Sequence, residues 1–300
     1  MSTPQSEHGA GSRLSIGQCA SLACLLEATA PKPGNVHRGA DFEDLTYLDL
    51  AASGLMIGPP LEAAAAPGAR LGPTVLAAVK ATRLAVDSNS NLGTILLMAP
   101  LAMVPRDRPL RAGVAAVLGD LDADDARLVY EAIRLARPGG LGRVAEHDVA
   151  GPPPDDLLAA MESAKDRDLV ARQYAHGFAE VLGLLVPWLA DGAGRWPLAA
   201  AIVRAHVRLM SRLPDTLIAR KCGPAVAEQS AALAAGVLAA GEPGGEAYEQ
   251  ALSDFDFWLR SDHHRRNPGT SADLIAAALF AALRDGIIKL PVRFYAPSES

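Results

Sequence analysis

Apolar positions recur along this chain at helical spacing. Within Ser15–Thr29, Ile16, Cys19, Ala20, Ala23 and Leu26 form one stripe, with Ser15 placed to cap the segment. The same pattern predicts helices over Asp44–Ile57, Thr74–Asp87, Leu92–Val104 with a kink at Pro100, and Asp122–Ala136. It continues with Asp155–Ala164, Asp166–Leu185, Trp196–Leu213, a buried Ala225–Ala240, Glu246–Arg260 and Ser271–Arg284. Gly58-Pro59-Pro60 stops the second helix, and Pro138-Gly139-Gly140 ends the fifth. Gly139–Pro154 is the longest irregular stretch, and Ile287–Tyr295 reads as a short extended piece. No series of alternating positions and no internal repeat is present. Helical segments separated by short Gly/Pro breaks predict an all-α protein, a compact multi-helix single domain over residues 13–296. Residues 1–12 are polar and Gly/Ser-rich and read as a disordered N-terminal tail.

Composition sharpens this picture. Of 300 residues, 50% are hydrophobic but only 5% aromatic, so the apolar mass is mostly Ala, Leu and Val, and Ala and Leu are good helix formers. Ala-rich helices with apolar faces would suit a homodimer. The net charge of −6 excludes the global positive field of a nucleic-acid binder, so any polyanion must be held by local Arg and Lys. Cys19, Cys24 and Cys222 make an odd count with no Cys-x-x-Cys, which points away from a disulfide framework or zinc ribbon and toward a cytoplasmic location. The longest apolar runs, such as Val181–Ala190 with Pro187 inside it, are too short to span a membrane.

Four polar segments interrupt the helical pattern. The first, Pro31-Lys32-Pro33-Gly34-Asn35-Val36-His37-Arg38-Gly39-Ala40-Asp41, packs five polar or charged residue types into a break that two prolines and a glycine keep out of regular helix. The others are Asp87–Thr94, Leu213–Lys221 and Asn267–Asp273. The second and fourth place Asn, Ser, Thr and Gly just ahead of an apolar helix, where free N–H groups and the positive dipole end suit a phosphate. Ordinary N-capping uses the same residues, and both readings stay open. In the third, Asp215 could hold Mg²⁺ while Arg220 and Lys221 face phosphate oxygens, or all three could simply finish helix ends. No Gly-x-x-x-x-Gly-Lys-Ser/Thr and no Gly-x-Gly-x-x-Gly follows a strand, so a P-loop ATPase or Rossmann enzyme is unsupported. His263-His264-Arg265-Arg266 reads as a solvated basic end. Glu146-His147-Asp148 is a weak acid–base signal in the irregular stretch.

On these segments the chain resembles the triphosphoribosyl-dephospho-CoA synthase family. The mark with most specificity is Pro31-Lys32-Pro33-Gly34, preceded by Leu26-Glu27-Ala28-Thr29. Asn89 through Gly93, Asp215-Thr216 with Arg220-Lys221, and Asn267-Pro268-Gly269 through Asp273 follow in the family's order, so the resemblance spans Ser15 to Arg284. It implies an all-α transferase that joins the triphosphoribosyl group of ATP to a hydroxyl of 3′-dephospho-CoA and releases adenine. The partners implied are ATP and a nucleotide-like acceptor, with Mg²⁺ as cofactor. Lys32, Arg38, Arg220 and Lys221 are assigned to phosphate oxygens. Asn35, Asn89, Asn91 and Asn267 are assigned to ribose and phosphate, and Gly34 and Gly269 to close backbone approach. Thr270 and Ser271 are assigned to the helix-end phosphate site. His37 is the acid–base candidate, with Asp215 also catalytic. Asp215, Asp41 and Asp273 are the candidate Mg²⁺ ligands.

The family usually carries an Asp and then Gly-Ala-His after the Pro-Lys-Pro-Gly. Here Asn35-Val36-His37-Arg38 follows, and Gly39-Ala40 leads into Asp41-Phe42. That departure is similar to a divergent branch associated with methanopterin-type one-carbon carriers. It leaves a related ribosyl or phosphoribosyl transferase as a second reading, and a non-catalytic helical adaptor as a third. The enzyme readings require the four segments to meet at one cavity; the adaptor reading lets them scatter.

Overall fold

The computed structural model describes residues 14–139 and 148–295. In chain order the helices are α1 (Ile16–Thr29), α2 (Tyr47–Met56), α3 (Gly58–Ala63), α4 (Leu71–Ala85), α5 (Leu92–Ala102), α6 (Leu110–Gly119), α7 (Ala123–Ala136) and α8 (Leu157–Ala164). They continue with α9 (Leu169–Ala175), α10 (Val186–Arg195), α11 (Leu198–Arg212), α12 (Thr216–Cys222), α13 (Pro224–Ala239), α14 (Glu246–Arg260) and α15 (Gly269–Arg284). Among the described residues there is no strand, and the all-α, single-domain expectation holds. Among the described residues no helix is long and apolar enough to cross a membrane.

The helix starts follow from local chemistry. Ser15 and Gln18 close a capping box on α1, and Thr46 with Asp49 closes another on α2. Asp122, Asp156 and Asp168 each accept N–H bonds at the starts of α7, α8 and α9. At the centre lies α15, whose residues from Leu274 through Leu283 are all buried. A helix apolar on every side belongs in the middle of a core, and α15 packs against α1, α5, α10 and α11. Ala276, Ala277, Ala278, Ala281 and Ala282 let those neighbours approach closely. A second apolar cluster joins α11, α12, α13 and α14 around Val207, Ile218, Tyr248 and Phe255.

Several expectations are corrected. Gly58-Pro59-Pro60 does stop α2, which ends at Met56, but a short helix not foreseen begins there. The prolines occupy the first turn of α3, where a missing N–H costs nothing. The segment 166–185 is not one helix: α9 ends at Ala175, Gly177 and Phe178 take positive φ, and Val181–Leu185 forms a π-helical turn leading into α10. Helix α6 was unforeseen. So was α12, which turns the third polar segment into a helix of its own. Helix α13 is not buried all round; Ala227, Ser230, Ala234 and Val237 form its inner stripe. The extended end is irregular, with Leu198 and Ala199 N–H groups donating to the carbonyls of Arg293 and Phe294. The expected tail, residues 1–12, lies outside the described residues.

Candidate active site

The Pro31–Asp41 loop is held from below by α14. Asp256 Oδ1 accepts the Gly34 N–H at 2.7 Å, and Arg260 donates to both Asp256 oxygens and, through Nη2, to the Asn35 carbonyl. Gly34 has φ +73°, and a Cβ there would lie 2.8 Å from Leu259. It is glycine for the turn and the packing, not for ligand approach. Lys32 is fully buried. Its Nζ lies 2.8 Å from Glu27 Oε1 and also donates to the carbonyls of Glu27 and Ala30, so its three protons are taken within the protein.

One large cavity, about 880 Å³, opens among these elements. Its wall includes Glu27 from α1, Asn35 and Phe42 from the loop, Ser88 through Thr94, and Asn267, Gly269, Thr270 and Asp273 at the start of α15. Arg220 and Lys221 from α12 and His263, His264 and Arg265 after α14 also line it. All four polar segments therefore contribute residues to one space, which removes the basis of the adaptor reading.

The individual residues divide sharply. Asn35 Nδ2 donates to Asn267 Oδ1 at 2.7 Å, tying the first segment to the fourth, and Asn35 Oδ1 is buried without a partner. Asn91 Oδ1 accepts from Thr82, while its buried Nδ2 has no partner. Unpaired buried polar atoms are costly, and both residues border the cavity. Asn89 Oδ1 caps α5 by accepting the Leu92 N–H, and Asn89 remains in the wall.

Asp273 is the most exactingly seated group. Thr94 Oγ1 donates to its Oδ1 at 2.7 Å, and Gly93 makes room for it: a Cβ on Gly93 would lie 2.1 Å from Asp273 Oδ2. The start of α5 thus holds a protein carboxylate. Burial, with the charges of Glu27 and Asp215 adding to it, pushes the Asp273 carboxyl up to about 7 against the Thr94 hydrogen bonds.

The other assigned carboxylates are spent elsewhere. Asp215, 1% exposed, accepts four hydrogen bonds: Oδ1 from the Leu217 and Ile218 N–H groups, and Oδ2 from Ser271 N–H and Oγ. Burial raises its carboxyl from the ordinary value, with those bonds opposing. It does not line the cavity, nor does Ser271; the pair pins the start of α12 to the start of α15. Asp41 accepts the Tyr47 N–H at the start of α2 and is also absent from the wall. His37, the acid–base candidate, pairs with Ala40 through its backbone and accepts the Gly39 N–H at Nδ1. Burial, then Arg260 and Lys32, lower its pKa. Neither His37 nor exposed Arg38 lines the cavity. The structure thus places Asp215, Asp41, His37, Lys32 and Arg38, expected as metal, acid–base or phosphate contacts, outside the cavity wall.

Of the cavity's cations, Arg220 and Lys221 come from α12 and Arg265 from the turn before α15, while Arg134, Arg137 and Arg167 lie on or beside α7 to α9. Arg220 Nη1 lies 2.8 Å from Asp168 Oδ2, and Arg265 donates to the Lys221 carbonyl. His263 and His264 take φ of +46° and +58°, which breaks the expected helix end; the His264 ring stacks on Phe42 at 3.9 Å. What read as a solvated basic end is part of the wall. In the sequence Glu27 has no role of its own beyond lying one turn before the loop, which is the signal that points to it. Glu146 and His147 lie outside the described residues, while Asp148 lines the cavity. Among the described residues no three His, Cys, Asp or Glu side chains gather as a metal cage.

A family model described as CitG, ATP:dephospho-CoA triphosphoribosyl transferase, matches residues 13–291. A crystal structure from Archaeoglobus fulgidus named as a triphosphoribosyl-dephospho-CoA synthase superimposes with a TM-score of 0.61 at 26% identity. The match covers 79% of this chain and 99% of that one. No curated protein matches.

Proposed function

The chain belongs to the CitG family of ATP:dephospho-CoA triphosphoribosyl transferases, and from that premise we propose a division of labour within its cavity. The enzyme moves the triphosphoribosyl group of ATP onto 3′-dephospho-CoA and releases adenine. The observation that carries the site assignment is the meeting of all four polar segments at one cavity of about 880 Å³. That volume lies toward the upper end of the range of roughly 300–1,000 Å³ usual for small-molecule pockets, as a site for two nucleotides requires. The family match names dephospho-CoA as the acceptor, and no observation favours a pterin-type alternative.

In the reaction an acceptor hydroxyl oxygen bonds to C1′ of the ATP ribose. The C1′–N9 bond breaks with its electron pair leaving on adenine, and the hydroxyl proton is released to the leaving base or to solvent. The triphosphate is unbroken. Arg220, Lys221 and Arg265 bind its oxygens, with Thr270 at the start of α15 beside them. Asn35, Asn91 and Asn267 supply hydrogen bonds to the nucleoside, and substrate atoms would satisfy the orphaned amide groups of the first two. Holding both reactants in one closed geometry removes much of the entropic barrier.

Mg²⁺ fits the acidic side of this wall. It commonly takes one or two protein carboxylates and completes its shell with phosphate and water. Glu27 and Asp273 are the two carboxylates to hold it. Burial is the main cause of the raised Asp273 carboxyl, and the smaller part that comes from the charges of Glu27 and Asp215 is what a cation would offset. When bound, the ion offsets triphosphate charge. Lys32 is then a positioning residue that fixes Glu27. Free thiols at Cys19, Cys24 and Cys222 and the use of ATP support a cytoplasmic setting.

The test is direct. Purified protein with ATP, Mg²⁺ and 3′-dephospho-CoA is expected to release one adenine per acceptor consumed, read by chromatography. Formation of ADP or AMP without adenine would refute the assignment.

A further inference from the structure

The cavity wall changes character along its length. Near Glu27, Asn267 and Arg220 it is polar, whereas α7, α8 and α9 contribute an aliphatic lobe of Ile133, Leu157, Ala160, Met161 and Val170. Leu157 and Val170 are anchored in the main core, with Ile133 and Met161 packed against it and only partly buried. Arg134 on α7 and Arg167 between α8 and α9 line the cavity too.

Of the groups of ATP, only the two faces of the adenine ring suit such a lobe; the phosphates and ribose hydroxyls do not. Dephospho-CoA differs by carrying a long arm of methylenes, a dimethyl-substituted carbon and two amides, joined to its nucleoside through a pyrophosphate. A wall that carries both an aliphatic lobe and arginines matches that arm and the anion it is joined to. The lobe is also joined to the polar wall. Asp168 caps α9 and binds Arg220, while the Leu169 N–H donates to Thr216 Oγ1 at the start of α12. A ligand bound along this seam passes from aliphatic surface to Arg220 without leaving the cavity.

We propose that the lobe between α7, α8 and α9 holds the pantetheine arm of the acceptor, with its pyrophosphate near Arg134 and Arg167 and its nucleoside turned toward Glu27 and Asp273. The proposal rests on the transferase reading and adds to it which end of the cavity each substrate enters. It also explains why a site for two nucleotides has an aliphatic end.

The experiment separates acceptor from donor. In the wild-type enzyme, 4′-phosphopantetheine, which is the arm without the nucleoside, competes with dephospho-CoA and not with ATP. Met161→Glu raises KM for dephospho-CoA at least tenfold, weakens inhibition by 4′-phosphopantetheine in parallel, and leaves KM for ATP within twofold. Met161→Leu restores wild-type values. Should Met161→Glu fail to fold by thermal melting, Ala164→Phe fills the same lobe without charge and is read in the same way. An unchanged KM for dephospho-CoA, or a rise in KM for ATP instead, overturns the proposal. A folded wild-type protein that releases no adenine sinks the transferase reading itself, which is a distinguishable result.

Discussion

Gly93 and Asp273 are fitted to one another: a Cβ on Gly93 would stand 2.1 Å from Asp273 Oδ2, closer than any two such atoms can approach. The glycine at the start of α5 is therefore the socket of a carboxylate 180 residues away. Gly93→Ala should displace Asp273 by about an ångström and lower the rate of adenine release by roughly 10²-fold. The melting temperature should change far less than for a core cavity. An unaffected rate would show that the seating of Asp273 does not matter.

Lys32 is predicted to act through Glu27. Lys32→Met leaves Glu27 without its counter-charge and should cost about 3 kcal/mol of stability, as breaking a buried pair does. The check is a urea unfolding curve. A phosphate clamp would behave the other way, with stability intact and KM for ATP sharply raised.

Asp215 holds two helix starts together. Asp215→Asn puts an N–H₂ where acceptors are needed and strands buried donors, at a cost of about 3 kcal/mol. Denaturation should detect this, and the Mg²⁺ concentration for half-maximal rate should stay unchanged in the folded fraction. A shift in that Mg²⁺ requirement would return Asp215 to the metal site.

His206 on α11 is fully buried. Burial, with the charge of Lys32 adding to it, lowers its pKa to about 3 from 6.5. Its folded value is depressed, so the unfolded chain takes up the proton first as pH falls. Stability from this group is intact above pH 6.5 and erodes from there down toward pH 3. The loss between pH 7.5 and pH 5 should be about 2 kcal/mol. Urea midpoints measured across that range should show the slope in the wild type and lack this component in His206→Gln.

The sequence made the helices legible because their apolar stripes and Ser, Thr and Asp caps are local signals. It also located the polar corners of the cavity, since Gly and Pro breaks stand out from helical periodicity. It could not assign their roles. Asp215 as a helix cap and Asp215 as a metal ligand need the same residue in the same place, and the deciding partner, Ser271, lies 56 positions away. Lys32 reads as a free cation until Glu27 is found against it. Pro59-Pro60 marks the end of α2 correctly but hides the start of α3, because a proline that follows one helix and a proline that begins the next look alike. His263 and His264 read as a helix end because their left-handed backbone leaves no mark in residue type.

The most direct measurement is the rate of adenine release by Asp273→Asn as Mg²⁺ is titrated, beside a melting curve of the same protein. With Asp273 as a cavity carboxylate that holds Mg²⁺ against the triphosphate, the folded variant should lose at least about 10²-fold in rate at low Mg²⁺ and recover part of it as Mg²⁺ rises. A folded Asp273→Asn protein with wild-type turnover and wild-type Mg²⁺ dependence would contradict the account.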